Sequence, residues 1–237
     1  MLPIAILAGG LATRLRPVTQ TIPKALIEVT GRPFIEHQLE YLKGQGISSV
    51  VLCIGHLGQM IQDLVEDGAH WGLNVQYSID GSPLLGTGGA IKKALPLLGN
   101  QFFVLYGDSY LPINFQSVQN FFIESGRLGL MTILENQNRW DRSNVRFERG
   151  ELLEYNKELV SQDMHYIDYG LGVLNSEVFD SYSTNQSFDL SKVYNELSLK
   201  KQLVGFEVFQ RFYEIGSRQG IEDTQKYLLQ KMRDKNT

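Results

Sequence analysis

Residues Ile4-Ala5-Ile6-Leu7-Ala8-Gly9-Gly10-Leu11-Ala12-Thr13-Arg14-Leu15-Arg16-Pro17, with Pro23-Lys24 a few positions further on, decide how this chain is read. A continuous apolar run is what a strand buried on both faces of a parallel sheet looks like. The small residues after it let backbone N–H groups approach phosphate oxygens without side-chain obstruction. Arg14, Arg16 and Lys24 then bring positive charge. A strand, a glycine turn and cations in that order suit the triphosphate of a nucleotide. The two better-known phosphate loops are both absent, since the chain has no Gly-Lys-Ser/Thr and no Gly-x-Gly-x-x-Gly. Neither a P-loop NTPase nor an ordinary dinucleotide domain is therefore indicated.

Outward from that strand, strand-like and helix-like runs alternate: a strand at residues 3–8, a helix over 33–43, a strand at 49–54, a helix over 59–66, a strand at 73–79, a helix over 89–95 and a strand at 102–106. Such alternation predicts βαβ units and a parallel sheet, hence an α/β fold. Pro33 suits a first helical turn, and Ile35, Leu39 and Leu42 share one face of the helix that follows it. After Leu111 the texture changes. Strands are expected at 128–134, 145–148, 152–155, 166–174 and 203–209, with helices at 114–124, at 189–200 and after Gly220, so this half reads as mixed and partly antiparallel. No Pro/Ser-rich linker, low-complexity tract or repeat divides the chain.

The chain has 237 residues, 43% hydrophobic and 20% charged, enough for a large core. Its net charge of −4 supplies no bulk field for nucleic acid or an anionic membrane, so an anionic substrate must be held by locally placed cations. The only cysteine, Cys53, lies in the apolar run Val50–Ile54, which excludes an intrachain disulfide or a cysteine-based zinc site. No apolar run approaches membrane-spanning length, and the N-terminus has no basic region or cleavage motif, so membrane insertion is not expected and a cytoplasmic enzyme is. The residues leave homo-oligomerisation open.

Several further residues carry chemistry. Asp108 leaves the strand Phe102–Tyr106 at Gly107-Asp108-Ser109, and ligands of open α/β sheets sit beyond the strand C-termini. Metal binding and the capping of a turn are both roles for such an aspartate. In Leu85-Gly86-Thr87-Gly88-Gly89 the small residues admit either a flat base or a glycine-rich helix start with Thr87 as its cap. His37, His56, His70 and His165 have no ligand-like spacing and read as structural or surface residues.

Taken together, these segments resemble the sugar-1-phosphate nucleotidyltransferases, whose signature is Gly-Gly-x-Gly-Thr-Arg-Leu-x-Pro followed by Pro-Lys. Ala12 stands for the third glycine of that pattern, and a positive φ there strains an alanine. The resemblance implies a Rossmann-like mixed, mainly parallel sheet flanked by helices, of nucleotide-diphospho-sugar transferase type. It implies one domain over residues 1–237, with nucleotide on about 1–111 and sugar phosphate on about 112–237. Arg14 and Lys24 become the catalytic cations, and Leu7, Ala8, Gly9, Gly10, Thr13, Gly86, Thr87 and Gly88 the nucleotide contacts. Gly107, Lys157 and Asp168 fall to the sugar phosphate, Asp168 standing where the family has asparagine. Mg²⁺ is implied at Asp108 and at Glu214, where many members carry aspartate.

The reaction so implied is transfer of a nucleotidyl group from an NTP to a sugar 1-phosphate, with release of pyrophosphate. A sugar phosphate is already an anionic nucleophile, so the lack of a Ser/His or Cys/His arrangement is expected. GTP and UTP are both open, with the preference to GTP. The alternatives are UTP- or CTP-dependent transfer to another acceptor, such as N-acetylmuramate 1-phosphate or phosphocholine, and a nucleotide-sugar sensor without turnover.

Overall fold

Alternate residues of the first strands point into two separate cores, and helices cover both. A computed structural model describes residues 1–184 and 186–235. In chain order the elements are β1 (Ile4–Leu7), β2 (Glu28–Val29), β3 (Arg32–Pro33), α1 (Phe34–Gly44), β4 (Ser49–Ile54), α2 (Gly58–Val65), β5 (Asn74–Ile79), α3 (Gly86–Leu98), β6 (Gln101–Tyr106) and β7 (Ser109–Tyr110). They continue with α4 (Phe115–Ser125), β8 (Gly129–Glu135), β9 (Val145–Glu148), β10 (Glu151–Tyr155), β11 (Tyr166–Asn175), α5 (Leu190–Leu199), β12 (Leu203–Val208), β13 (Tyr213–Glu214) and α6 (Arg218–Lys235). The main sheet runs β10-β9-β11-β6-β1-β4-β5, with β8 paired to β11 and β12 added on β8.

Strands β5, β4, β1 and β6 are mutually parallel, and β11 joins β6 antiparallel, so a single sheet crosses from the first half of the chain to the second. Ile4, Ile6, Leu52, Ile54, Phe103 and Leu105 face α1, α2 and α4. Ala5, Val51, Cys53, Phe102 and Val104 face α3 and α5. Each fully buried aliphatic or aromatic side chain contributes about 1.5–3 kcal/mol. An exposed ion pair such as that of Arg32 and Glu40 contributes at most about 1 kcal/mol. Burial of the strands therefore fixes where their C-terminal ends deliver the residues that follow.

Most expected elements lie within two residues of their places, and three departures have local causes. Pro33 precedes the helix instead of opening it, because it pairs with Glu28 in the β2–β3 hairpin. Helix α3 extends beyond the expected 89–95 at both ends. Its glycine-rich first turn is held by the Phe188 carbonyl, which accepts from Gly88 N at 3.0 Å and Gly89 N at 3.3 Å. Helix α6 starts at Arg218, so Gly220 lies inside it rather than before it. A methyl group at Gly220 would overlap the Glu214 carboxylate, which explains a glycine within a helix. Asn114 and Asp189 cap α4 and α5, accepting from Ser117 N and Ser191 N at 2.8 Å each.

Among the described residues no helix is long and apolar enough to cross a membrane.

Candidate active site

The C-terminal ends of β1, β4 and β6 open into one cleft, enclosing about 750 Å³ of space including its mouth. It lies where an open parallel sheet offers a ligand site. Of the residues singled out in the sequence, Leu7, Ala8, Gly9, Gly10, Lys24, Gly86, Thr87, Gly107 and Asp108 line it. The strand ends approach so closely that side chains are excluded. A Cβ on Gly107 would meet the Leu7 carbonyl oxygen at 2.7 Å, and one on Gly9 would meet Gly55 N at 3.0 Å.

Beyond Gly10 the chain turns through Ala12, whose φ of 47° and ψ of 47° are left-handed, into a short turn over Thr13–Leu15. Leu15 is buried and anchors this turn, while Thr13 and Arg14 are exposed. Thr19 Oγ1 donates to the Ala12 carbonyl at 2.8 Å, holding the bend from below. Among the described residues Arg14 has no hydrogen-bond or ion-pair partner, so its guanidinium is available to a ligand. An alanine in the left-handed region costs about 1–2 kcal/mol, partly offset by the greater chain entropy that a glycine loses on folding. Ala12→Gly is therefore expected to raise the thermal midpoint by about 2–4 °C or less, readable by calorimetry.

Asp108 and Glu214 are far apart in sequence and are brought together by the β7–β13 ladder, in which Glu214 pairs with Ser109 and the Asp108 carbonyl accepts from Ile215 N at 2.9 Å. Lys24 Nζ donates to Asp108 Oδ2 at 2.8 Å. A Cβ placed on Gly216 would stand 2.8 Å from Glu214 Oε2, 3.3 Å from Asp108 Oδ2 and 3.5 Å from Lys24 Nζ. Both carboxylates and the ammonium thus converge on one point. Glu214 is further held by its own turn, accepting from Gly216 N and, at 2.6 Å, from Ser217 Oγ. Gly216, Ser217 and Gly220 build this seat, and the missing side chain at Gly220 is what leaves room for the longer glutamate. Among the described residues no cluster of three or more His, Cys, Asp or Glu is placed to hold a metal. Two carboxylates are nevertheless a donor set that Mg²⁺ takes when substrate phosphates and water complete its shell.

The α3 N-terminus serves the packing of the fold as well as the cleft. Gly86 and Thr87 line the cleft, but Gly88 is buried against the Phe188 ring, and the N–H groups of Gly88 and Gly89 are spent on the Phe188 carbonyl. Thr87 does not cap its own helix. Its Oγ1 accepts from Leu190 N at 2.8 Å, tying α3 to the start of α5. These small residues seat residues 186–190.

Asp168, in β11, and Lys157, in the bend that follows β10, lie outside the cleft lining. Asp168 is partly buried and accepts from Gly170 N at 2.9 Å, and burial pushes its carboxyl up to about 6 against the opposing pull of that N–H and of Lys157. Burial pushes the Asp189 carboxyl up, but hydrogen bonds from Ser191, with Lys157 adding to them, bring it below its ordinary range. Asn144 Oδ1 accepts from Asp168 N at 3.0 Å and fixes this strand position, a residue the sequence did not single out. Asp80 was also missed. It lines the cleft just after β5, with Oδ2 accepting from Leu85 N at 3.3 Å and Oδ1 buried without a partner among the described residues. Burial raises its carboxyl above the ordinary range. An aspartate at the end of a parallel strand was the available signal. Cys53 is inert, its thiol pushed up to about 12 by burial. His37 is structural, its Nε2 bonded to the Val29 carbonyl at 2.8 Å.

The model of the nucleotidyl transferase family matches residues 4–189, most of the chain. The chain belongs to the nucleotidyl transferase family. Its relatives include D-glycero-α-D-manno-heptose 1-phosphate guanylyltransferase of Campylobacter jejuni, 31% identical over 192 residues, covering 81% of this chain and 84% of that one. N-acetylmuramate α-1-phosphate uridylyltransferase of Neisseria meningitidis is 43% identical over 111 residues, 46% of this chain and 48% of its own. The crystal structure of HddC from Yersinia pseudotuberculosis complexed with GMP-PN superposes with a TM-score of 0.77 at 25% identity, covering 96% of this chain and all of that one. The two named relatives are transferases of nucleotidyl groups to sugar 1-phosphates. The expected fold, a mixed and mainly parallel sheet flanked by helices, is that of its structural neighbours.

Proposed function

We propose that this nucleotidyl transferase moves a guanylyl group from GTP to a sugar 1-phosphate, with Mg²⁺ held by Asp108 and Glu214. Asp80 carries the choice of base. Guanine presents two adjacent donors, its ring N–H and its amino group, whereas uracil presents one donor between two acceptors. An ionised carboxylate only accepts, and a buried oxygen without a donor is a costly arrangement that a guanine edge relieves. The guanylyltransferase relative over most of the chain and the GMP-PN complex of HddC support the same base. A second reading, UTP, is favoured by the higher identity of the uridylyltransferase relative over its shorter match.

In this reading the phosphate tail of the nucleotide lies over Gly9 and Gly10, with Arg14 and Lys24 neutralising it. An oxygen of the sugar 1-phosphate attacks the α-phosphorus in line, the bond to the β-phosphate oxygen breaks, and pyrophosphate departs with that electron pair. No proton has to be removed from the nucleophile. The residues instead hold two polyanions in register and stabilise charge on the α-phosphate and the leaving group. Bound Mg²⁺ adds positive charge at those oxygens. Lys157 takes the acceptor's phosphate, and Asp168 accepts from a sugar hydroxyl.

Two measurements test these roles. Asp80→Asn replaces an acceptor by a donor, and kcat/KM for GTP is expected to fall about 10²-fold with UTP far less affected. An unchanged GTP-to-UTP ratio removes Asp80 from base choice. Lys157→Ala is expected to raise KM for the sugar phosphate about tenfold or more while kcat stays near wild type, the pattern of a lost binding contact. An unchanged KM assigns the acceptor phosphate elsewhere.

A further inference from the structure

The ammonium of Lys24 is paired with Asp108, one of the two carboxylates on which a metal would be held. It donates to Asp108 Oδ2 at 2.8 Å and lies 3.5 Å from the point above Gly216 on which Asp108 Oδ2 and Glu214 Oε2 also close, at 3.3 and 2.8 Å. We propose that Lys24 is a stand-in cation, keeping the Asp108–Glu214 pair closed to divalent metal until the phosphates of a nucleotide draw its ammonium away. The inference rests on the placing of a metal at these two carboxylates. It adds an order of events in which nucleotide arrives first and opens the metal position.

Charge and reach both favour this order. With Lys24 in place, one of the two negative charges is already neutralised, and a divalent ion entering there would meet a positive charge at close range. Glu214 is held in place, its two oxygens accepting from Gly216 N and Ser217 Oγ. Lys24 has the longer reach. It lies at the start of a single short turn after Pro23, and its four-carbon stem lets the ammonium swing while the backbone stays fixed. The ion pair is only partly buried, with side-chain exposures of 21% and 27%, so it is cheap to break when a triphosphate offers several negative charges instead. By linkage, a nucleotide that removes the ammonium tightens metal, and metal tightens nucleotide by the same factor.

The test is binding of Mn²⁺ without nucleotide, followed by the electron paramagnetic resonance signal of the free ion, for the wild type, Lys24→Met, Lys24→Gln and the double variant Lys24→Met/Asp108→Asn. Circular dichroism and the thermal midpoint establish that each is folded, and Lys24→Gln keeps a hydrogen-bonding group should Lys24→Met not fold. The uncharged variants are expected to bind one Mn²⁺ at least ~10-fold tighter than wild type, with the gain lost when Asp108 is also changed. Equal Mn²⁺ affinity in wild type and variants overturns the inference, as does a folded Lys24→Met or Lys24→Gln that binds none. Neither result touches the proposed reaction. That reading falls separately if wild-type pyrophosphate release needs no divalent cation.

Discussion

Asp108→Ala is expected to lower turnover at least ~10²–10³-fold while leaving the protein folded. Asp108 stands just beyond the end of β6, a strand whose residues Phe102–Leu105 are buried, so its backbone position does not depend on its own side chain. The carboxylate's contacts are the partly exposed Lys24 ion pair and a 3.3 Å hydrogen bond from Ser109 Oγ. Such a pair contributes at most about 1 kcal/mol, or roughly 2–4 °C in a chain of this size. A large loss of rate with a small change in thermal midpoint is therefore the expected combination, read from pyrophosphate release and calorimetry on one preparation. Near-normal turnover removes Asp108 from the metal position.

Arg14→Ala has an expected effect of similar size and an even cleaner separation. No group among the described residues engages the guanidinium, so its removal leaves no unpaired partner and no cavity. What is lost is charge and directed donors at the triphosphate, about 10²–10³-fold in kcat/KM, with the thermal midpoint unchanged. Arg14→Lys is expected to recover only part of this, since a point charge does not replace a planar fork against phosphate oxygens. A variant whose turnover equals wild type assigns the triphosphate to other cations.

Much of this molecule is legible in its sequence because its strands are buried on both faces. Ser49–Ile54 and Val145–Glu148 lie where the residues alone place them, and β6 ends where its glycine begins. The resemblance carried Glu214 to a position beside Asp108, and the β7–β13 register brings the two together. What remained illegible depends on partners distant in sequence. The start of α3 could not be read because its glycines serve Phe188 and Gln186, nearly a hundred positions on, so that spacing suggesting a base platform also serves a packing seat. Gly220 reads as a helix boundary until the Glu214 carboxylate is seen against it. Asp80 carries no local motif, and only its unpartnered oxygen in the cleft marks it. The left-handed backbone foreseen as a strain for Ala12 is present, at φ 47°.

The most direct test is pyrophosphate release by the purified protein, with Mg²⁺ and then with EDTA, from ATP, GTP, UTP, CTP and dTTP, each against heptose, hexose and amino-sugar 1-phosphates and phosphocholine. The expected result is release that requires metal, GTP and one class of sugar 1-phosphate together. Release with GTP in EDTA, with UTP or CTP in place of GTP, or with phosphocholine alone contradicts the proposal, and silence in every pair while GTP still binds makes this chain a sensor of nucleotide sugars.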